Sequence, residues 1–368
     1  MANDRESELH YPLGDALPAL GATLDVAPGV RWVRMALPFA LDHVNLWLLR
    51  DHDDDDGTEG WTIVDCGITS DATKVAWEQV FADHLDGLPV LRVIATHMHP
   101  DHVGLAHWLT RRWSNERREC RLWMSATDWN GSRLASGGAM VGGANAAEFF
   151  ASHGMTDPAS LEKVRGRTTY YSDLVPEVPR RFRRLLDGQR IAVGPAGARS
   201  EWTCVAGYGH SPEHISLHSP QHGLLISGDM VLPRISTNVS VMDFEPEANP
   251  LALYLDSIVK LRALPADTLV LPSHGKPFTG LHQRVQQLVD HHDLRYAEVL
   301  AACAAAPRTA AEVLPVLFKR ELDLHQTTFA KGEAIAHLHA LQARGQVQGR
   351  LGADGVMRFA VPAADVKG

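Results

Sequence analysis

One short segment, Thr96-His97-Met98-His99-Pro100-Asp101-His102, limits what this chain can fold into more than any other feature. It follows directly on an apolar, β-rich run over residues 91–95. Two histidines two positions apart share a face while the chain is extended, and Pro100 marks the turn that delivers Asp101 and His102. Four ligand-type side chains in six residues would each cost a few kcal/mol if buried without partners. One divalent cation, or two, satisfies all four at once. Imidazole and carboxylate without thiolate suit Zn²⁺, with Mn²⁺ and Fe²⁺ as alternatives.

Four residues cannot close two metal positions, so more ligands are expected at other strand ends. Three candidates fit. His210 follows a strand over 202–205 through Gly207 and Gly209. Asp229 follows a strand over 224–227 through Gly228. His274 follows a strand over 268–271 and precedes Gly275. Each is a ligand type directly after a β run, beside a glycine that permits tight backbone geometry. A buried, satisfied histidine is the plainer reading of any one of them, and the four motifs together outweigh it.

The surrounding pattern predicts an α/β layer architecture. Strands are expected over 30–37, 44–49, 61–64, 91–95 and 121–124, with helices over 71–85, capped by Ser70 or Asp71, and over 102–113. Residues 125–185 interrupt this alternation and read as a lid-like insertion, since long insertions in compact domains are commonly binding loops. Strands resume over 191–193, 202–205, 214–219, 223–227 and 268–271, with helices over 250–264 and 281–306. Beyond Pro307, helices over 310–319, capped by Thr309, and 329–343 precede a hairpin around Asp354-Gly355. Helices followed by a two-stranded wing resemble a winged helix. The predicted division is a catalytic domain over 1–290 and a winged-helix-like domain over 291–368.

Charge bears on the choice of substrate. The chain of 368 residues carries a net charge of −9, concentrated near the N-terminal end. Residues 111–199 are basic, with 15 Lys/Arg against 9 Asp/Glu. These arginines are read as solvated faces, or else as an anion-binding rim above the metals. The four cysteines are widely spaced and are read as buried hydrophobes, not as a disulfide framework. The first ten residues do not read as a signal peptide, and no stretch is apolar enough to span a membrane. A cytoplasmic protein with no membrane partner is expected.

The motif His97-x-His99-x-Asp101-His102, then Gly209-His210-Ser211-Pro212, Ser227-Gly228-Asp229 and Ser273-His274-Gly275, in this order, resembles the metallo-β-lactamase superfamily. Val64-Asp65-Cys66-Gly67 is similar to an early turn of that family. The resemblance spans residues 30–280. It implies an αβ/βα four-layer sandwich of two mixed sheets and two divalent metal ions. His97, His99 and His210 would hold one ion, and Asp101, His102 and His274 the other. Asp229 would bridge them and Asp65 would support the ligand loop. Two such ions activate water near neutral pH, with Asp101 orienting the nucleophile. His214 is a candidate catalytic residue that binds substrate or stabilises the oxyanion. The C-terminal unit and Gly209–His214 are similar to the β-lactamase-like protein 2 group, whose members are linked to thioester hydrolysis and single-stranded RNA cleavage. The absence of a ligand cysteine resembles hydroxyacylglutathione hydrolases and lactonases.

The leading expectation is a dinuclear hydrolase acting on a small-molecule thioester, ester or lactone, with an anionic substrate as one option. The alternative is a single-strand-specific endoribonuclease, which the net charge disfavours. A DNA-binding regulator is a third class, but the expected recognition helix offers only Lys331 and Arg344. A homodimer through the C-terminal unit or the insertion is a further expectation.

Overall fold

The computed structural model describes residues 5–138, 142–319, 321–322 and 324–363. Two sheets dominate. The first contains β1 (Thr23–Ala27), β2 (Val30–Ala36), β3 (His43–His52), β4 (Glu59–Val64), β5 (Val90–Ile94), β6 (Arg121–Met124) and β7 (Phe182–Arg184), adjacent in chain order. Pairing is antiparallel from β1 to β4 and parallel from β4 to β7. The second contains β8 (Arg190–Val193), β9 (Ser200–Gly207), β10 (His214–Ser219), β11 (Leu224–Gly228) and β12 (Leu269–Pro272), in the spatial order β12-β11-β10-β9-β8. Only β11 and β12 are parallel there. A separate hairpin pairs β13 (Gln348–Leu351) with β14 (Met357–Ala360). Strand β1 has no counterpart in the sequence reading, because its polar, half-buried run gives little apolar signal.

The helices are α1 (Asp71–Asp83), α2 (Pro100–Val103), α3 (Ala106–Trp113), α4 (Ala126–Ser136), α5 (Gly143–Ser152), α6 (Pro158–Arg165), α7 (Tyr170–Leu174), α8 (Pro250–Lys260), α9 (Leu281–Ala305), α10 (Ala310–Leu317) and α11 (Leu324–Ala343). Ser70 caps α1 by accepting from the Thr73 N–H, which satisfies one of the orphan donors of a helix start. Three apolar clusters separate four layers. Trp77, Phe81 and Leu109 of α1 and α3 pack on the outer face of the first sheet. Trp32, Trp47 and Ile94 meet Trp202, Leu217 and Ile226 between the sheets. Leu251, Ile258, Val285 and Leu288 of α8 and α9 cover the outer face of the second sheet. Because both faces are covered, β3 and β10 are buried nearly throughout, as two-sided packing requires.

Two sequence expectations change on inspection. The division at 290/291 falls inside the unbroken helix α9, whose buried face runs from Leu281 to Cys303. The C-terminal helices are not set apart either. Ile335, Leu338 and Leu341 of α11 belong to the same apolar cluster as Leu225 and Tyr254. Residues 125–185 form four helices and the edge strand β7. Helices α4 and α7 join the first core through Ala135 and Tyr171. Helices α5 and α6 make a small cluster of their own around Phe150 and Val164. Within the glycine-rich stretch 137–143, residues 139–141 lie outside the described residues.

Candidate metal centre

Every sequence-predicted ligand sits at one edge of the two sheets. The segment 97–102 leaves the end of β5, His210 follows β9, Asp229 follows β11 and His274 follows β12. The sheets are joined at this edge: Ile215 N–H donates to the Thr96 carbonyl at 2.8 Å, and Asn45 N–H to the Ser273 carbonyl at 2.7 Å. Two glycines permit the tight turns. Gly209 has φ +95°, and a Cβ there would lie 2.2 Å from the Pro250 carbonyl oxygen. Gly228 has φ +53°, and a Cβ there would lie 2.1 Å from His214 Nε2.

The ligand atoms fall into two groups that share Asp229. His97 Nε2 lies 3.0 Å from His99 Nδ1 and 3.2 Å from His210 Nε2. Asp229 Oδ2 is 3.3 Å from His210 Nε2. On the other side, His102 Nε2 and His274 Nε2 each lie 3.4 Å from Asp101 Oδ2. Asp229 Oδ1 is 3.6 Å from His102 Nε2 and 3.5 Å from His274 Nε2. Thus His97, His99, His210 and one oxygen of Asp229 surround one point, and Asp101, His102, His274 and the other oxygen surround a second.

The hydrogen bonds behind these rings dictate their chemistry. His102 Nδ1 meets Asp65 Oδ2 at 2.8 Å, His210 Nδ1 the Asn238 carbonyl at 2.8 Å, and His274 Nδ1 the His43 carbonyl at 2.7 Å. Each acceptor requires a proton on Nδ1, which leaves the Nε2 lone pair facing inward. His97 Nδ1 lies 3.0 Å from Thr96 Oγ1, whose own proton goes to Asp65 Oδ2. Lone pairs therefore face one another at about van der Waals contact. His102 Nε2 and Asp229 Oδ1 are buried without hydrogen-bond partners. Cations satisfy this donor set, so the residues present fit two divalent ions.

Electrostatics agree. Burial drives His97 well below the ordinary imidazole range, and its four histidine neighbours add to the effect. Burial opposes charge on His274, yet Asp229 and Asp101 outweigh it and lift the ring to about 10. Burial likewise opposes ionisation of Asp229, but His274 and His102 hold it well below the usual carboxylate range. Without metal, protons balance the two carboxylates.

His214 is placed differently from the sequence expectation. It is 0% exposed, its Nε2 accepts from the Asp229 N–H at 3.2 Å, and its ring leans on His97 at 5.0 Å. It is buried behind the ligand rings, against the Asp229 backbone. Beside Asp65, read from the sequence as a support of the ligand loop, stand several residues that the sequence reading missed. Asp65, at φ +64°, accepts from Thr96 N–H at 2.7 Å as well as from His102. Asp128 accepts from the Met98 N–H at 2.8 Å and the Glu213 N–H at 2.6 Å, clamping two ligand loops together. Tyr171 donates to the Met98 carbonyl. Burial raises the Tyr170 phenol above its ordinary range, and the Asp101 charge adds to the effect. Only the pair Tyr170-Tyr171 within the insertion could have hinted at these contacts.

The arginines of the basic segment are divided between the two ends of the first sheet, with Arg183 and Arg184 at the C-terminal end of β7. Arg118 precedes β6 and Arg121 opens it, at the end of the parallel strands opposite the ligands, and Arg118 sits 3.9 Å from Asp56. Arg112 is paired with Glu78, and Arg183 lies over Trp123. In α11, Lys331 is 2% exposed, and Arg344, one residue past the helix, stacks on Tyr296.

Comparison with known proteins follows the same lines. Residues 40–274 match the metallo-beta-lactamase superfamily, and residues 296–362 match the metallo-beta-lactamase-like C-terminal domain. The chain is a metallo-hydrolase of the metallo-β-lactamase superfamily. A solved relative of this hydrolase, a beta-lactamase domain protein from Burkholderia ambifaria, is 56% identical, with 98% of this chain and all of that one covered and a TM-score of 0.91. A metallo-beta-lactamase family protein from Thermus thermophilus is 26% identical, with 92% and 100% covered and a TM-score of 0.69. The probable metallo-hydrolase YqjP of Bacillus subtilis is 24% identical over 84% of this chain and 91% of its own. Shorter matches reach a linear primary-alkylsulfatase of a Pseudomonas species, 25% identical over 63% of the chain, and an atrochrysone carboxyl ACP thioesterase of Aspergillus fumigatus, 28% identical over 37%. In each of these two the match spans 42% of the relative's length.

Proposed function

We propose that this metallo-hydrolase holds two divalent ions and cleaves a small-molecule acyl substrate, a thioester, ester or lactone. The observation that carries the reading is the division of Asp229 between two convergent donor groups, one oxygen to each. His97, His99 and His210 would hold one ion, and Asp101, His102 and His274 the other, with Asp229 between them. Bound there, Zn²⁺ or a similar ion would supply water ionised near neutral pH and a Lewis acid for the carbonyl.

The chain's own residues do the rest. Asp65 and the His43 and Asn238 carbonyls hold the imidazoles in the tautomer that turns Nε2 inward. Asp101 is the more exposed of the two carboxylates, so it can accept the proton of an attacking water and set its direction. Helices α4 and α7 of the insertion pack against the ligand loop and form a wall of the site. His214 is a positioning residue that fixes the Asp229 backbone. Four cysteines, all buried and unpaired, fit a reducing, cytoplasmic setting. No helix among the described residues is long and apolar enough to cross a membrane.

Endoribonuclease activity is the weaker reading, because a net charge of −9 disfavours a polyanionic substrate. The test is elemental analysis of purified protein together with a panel of thioesters, esters, lactones and single-stranded RNA, before and after chelation. Near two metals per chain and chelator-sensitive acyl turnover support the proposal. Turnover of RNA alone overturns the substrate class, and a protein that takes up no metal on reconstitution overturns the centre itself.

A further inference from the structure

A cleft of about 460 Å³ opens beside the metal centre, with His274 and Gly275 in its wall. Its apolar lining comes from Leu17, Leu41 and Ile235 and its charged lining includes Arg34, Arg234 and Lys276. Two of these cations are already matched. Arg234 Nε lies 3.0 Å from Glu6 Oε2, and Lys276 Nζ lies 2.7 Å from Asp15 Oδ1. The Asp42 carboxylate is taken by His43 Nδ1 at 2.6 Å. Arg34 alone among the three is left over: its guanidinium has no ion pair or hydrogen bond among the described residues. Burial lowers its pKa, and the charge of Asp42 only partly offsets that cost. His43 joins this arginine to the centre, since its carbonyl holds His274 Nδ1 and its Nε2 accepts from the Gly275 N–H at 2.8 Å.

We propose that the cleft is a substrate subsite in which Arg34 receives a carboxylate, so that the preferred substrate is the thioester or ester of a dicarboxylic acid. The guanidinium fork matches a carboxylate with two parallel hydrogen bonds. Arg34 offers a free fork and not a free charge, because Asp42 acts on it while holding a neutral His43, and Glu6, Asp15 and Asp42 disfavour a dianion such as phosphate. Leu17, Leu41 and Ile235 give the methylene spacer an apolar wall, while the reacting carbonyl lies toward His274. The word substrate rests on the hydrolase reading above, whereas the carboxylate subsite stands on the cleft alone.

Two readouts on the metal-loaded protein separate the claims. Calorimetry compares glutarate with pentanoate, and kinetics compares glutaryl and pentanoyl thioesters of N-acetylcysteamine. Wild-type protein is expected to favour the dicarboxylate in both, and Arg34→Met to reduce each preference about tenfold or more. Arg34→Lys keeps the charge without the fork and is expected to fall between. Arg112→Met, which removes an arginine paired at the far surface, leaves the ratios as they were. A wild-type ratio near one, or a ratio that Arg34→Met does not change, overturns the subsite even if acyl turnover is found. If neither thioester is cleaved while glutarate preference still depends on Arg34, the subsite holds and the hydrolase reading fails.

Discussion

Asp65 holds three donors with two oxygens: the Thr96 N–H, the Thr96 hydroxyl and His102 Nδ1. Its left-handed backbone is unusual for a residue with a Cβ, though aspartate tolerates it better than most. Asn at this position keeps the size but turns one acceptor into a donor facing His102. We expect Asp65→Asn to weaken metal affinity about 10- to 100-fold, read by competition with a chromophoric chelator. An affinity equal to wild type would remove Asp65 from the support of the site. Asp128 acts on backbone instead. Burial lifts its carboxyl to about 6, against the pull of the Met98 and Glu213 amides. Asp128→Ala leaves both buried N–H groups unpaired, at a cost of about 1.5–3 kcal/mol each way such bonds are usually measured. Urea unfolding should show that loss, and kcat should fall while metal content is retained, because the two ligand loops lose their shared clamp. The ligands themselves were legible in the chain because each motif is local, a ligand type directly after a strand. Asp128, His43 and Asn238 were not, because what they offer the site is a contact across 28 to more than 200 residues, two of them through a backbone carbonyl that carries no side-chain signature.

At the scale of elements, α11 carries the clearest coupling to the site. Val241 N–H donates to the Gly332 carbonyl at 3.1 Å, and Asn238 Nδ2 lies 3.5 Å from Glu333 Oε2. The same Asn238 gives its carbonyl to His210. Burial pushes Glu333 up to about 7, above the value of about 4.3 expected in the unfolded chain. The folded state therefore holds an extra proton between these limits. The stabilisation from neutral Glu333 is complete below about pH 4 and is lost as pH rises through about 7. Glu333→Gln cannot lose that proton. Relative to wild type, it should gain stability between pH 5 and pH 8, by about 1–3 kcal/mol, measured by chemical unfolding at both pH values. A difference that stays constant with pH would place Glu333 in contact with water. Most elements were legible from periodicity and caps, including Ser70 for α1 and Thr309 for α10, whose capping box with Glu312 is present. What periodicity could not tell is which element each helix packs on. That is why the insertion read as a loose lid, whereas Trp129 stacks on Phe182 at 4.3 Å and Arg133 donates to the Val178 carbonyl.

For the whole molecule, the apolar cluster outside the second sheet joins Leu225, Leu251 and Tyr254 to Val313, Leu338, Leu341 and Phe359. A chain ending at residue 306 would expose the faces of α8 and α9 that α10 and α11 now cover. Such a patch exceeds what soluble proteins leave open. We expect the truncated chain to aggregate, or to bind a hydrophobic dye and unfold without cooperativity. A monomer with wild-type melting behaviour would restore the C-terminal unit to an independent appendage. The insertion also reaches this unit, because Ala311 N–H donates to the His153 carbonyl at 3.2 Å.

The spread of the ligands along the chain has a consequence for synthesis. His97 to His102 leave the ribosome more than a hundred residues before their partners. Neither metal position is complete until Asp229 and then His274 have emerged, and the loop that orients His210 is braced only once α11 has followed. A nascent chain thus presents a half-built site to whatever ion the cell offers. Selection between ions therefore waits on the proposed donors that emerge later, and on the helix that braces the His210 loop.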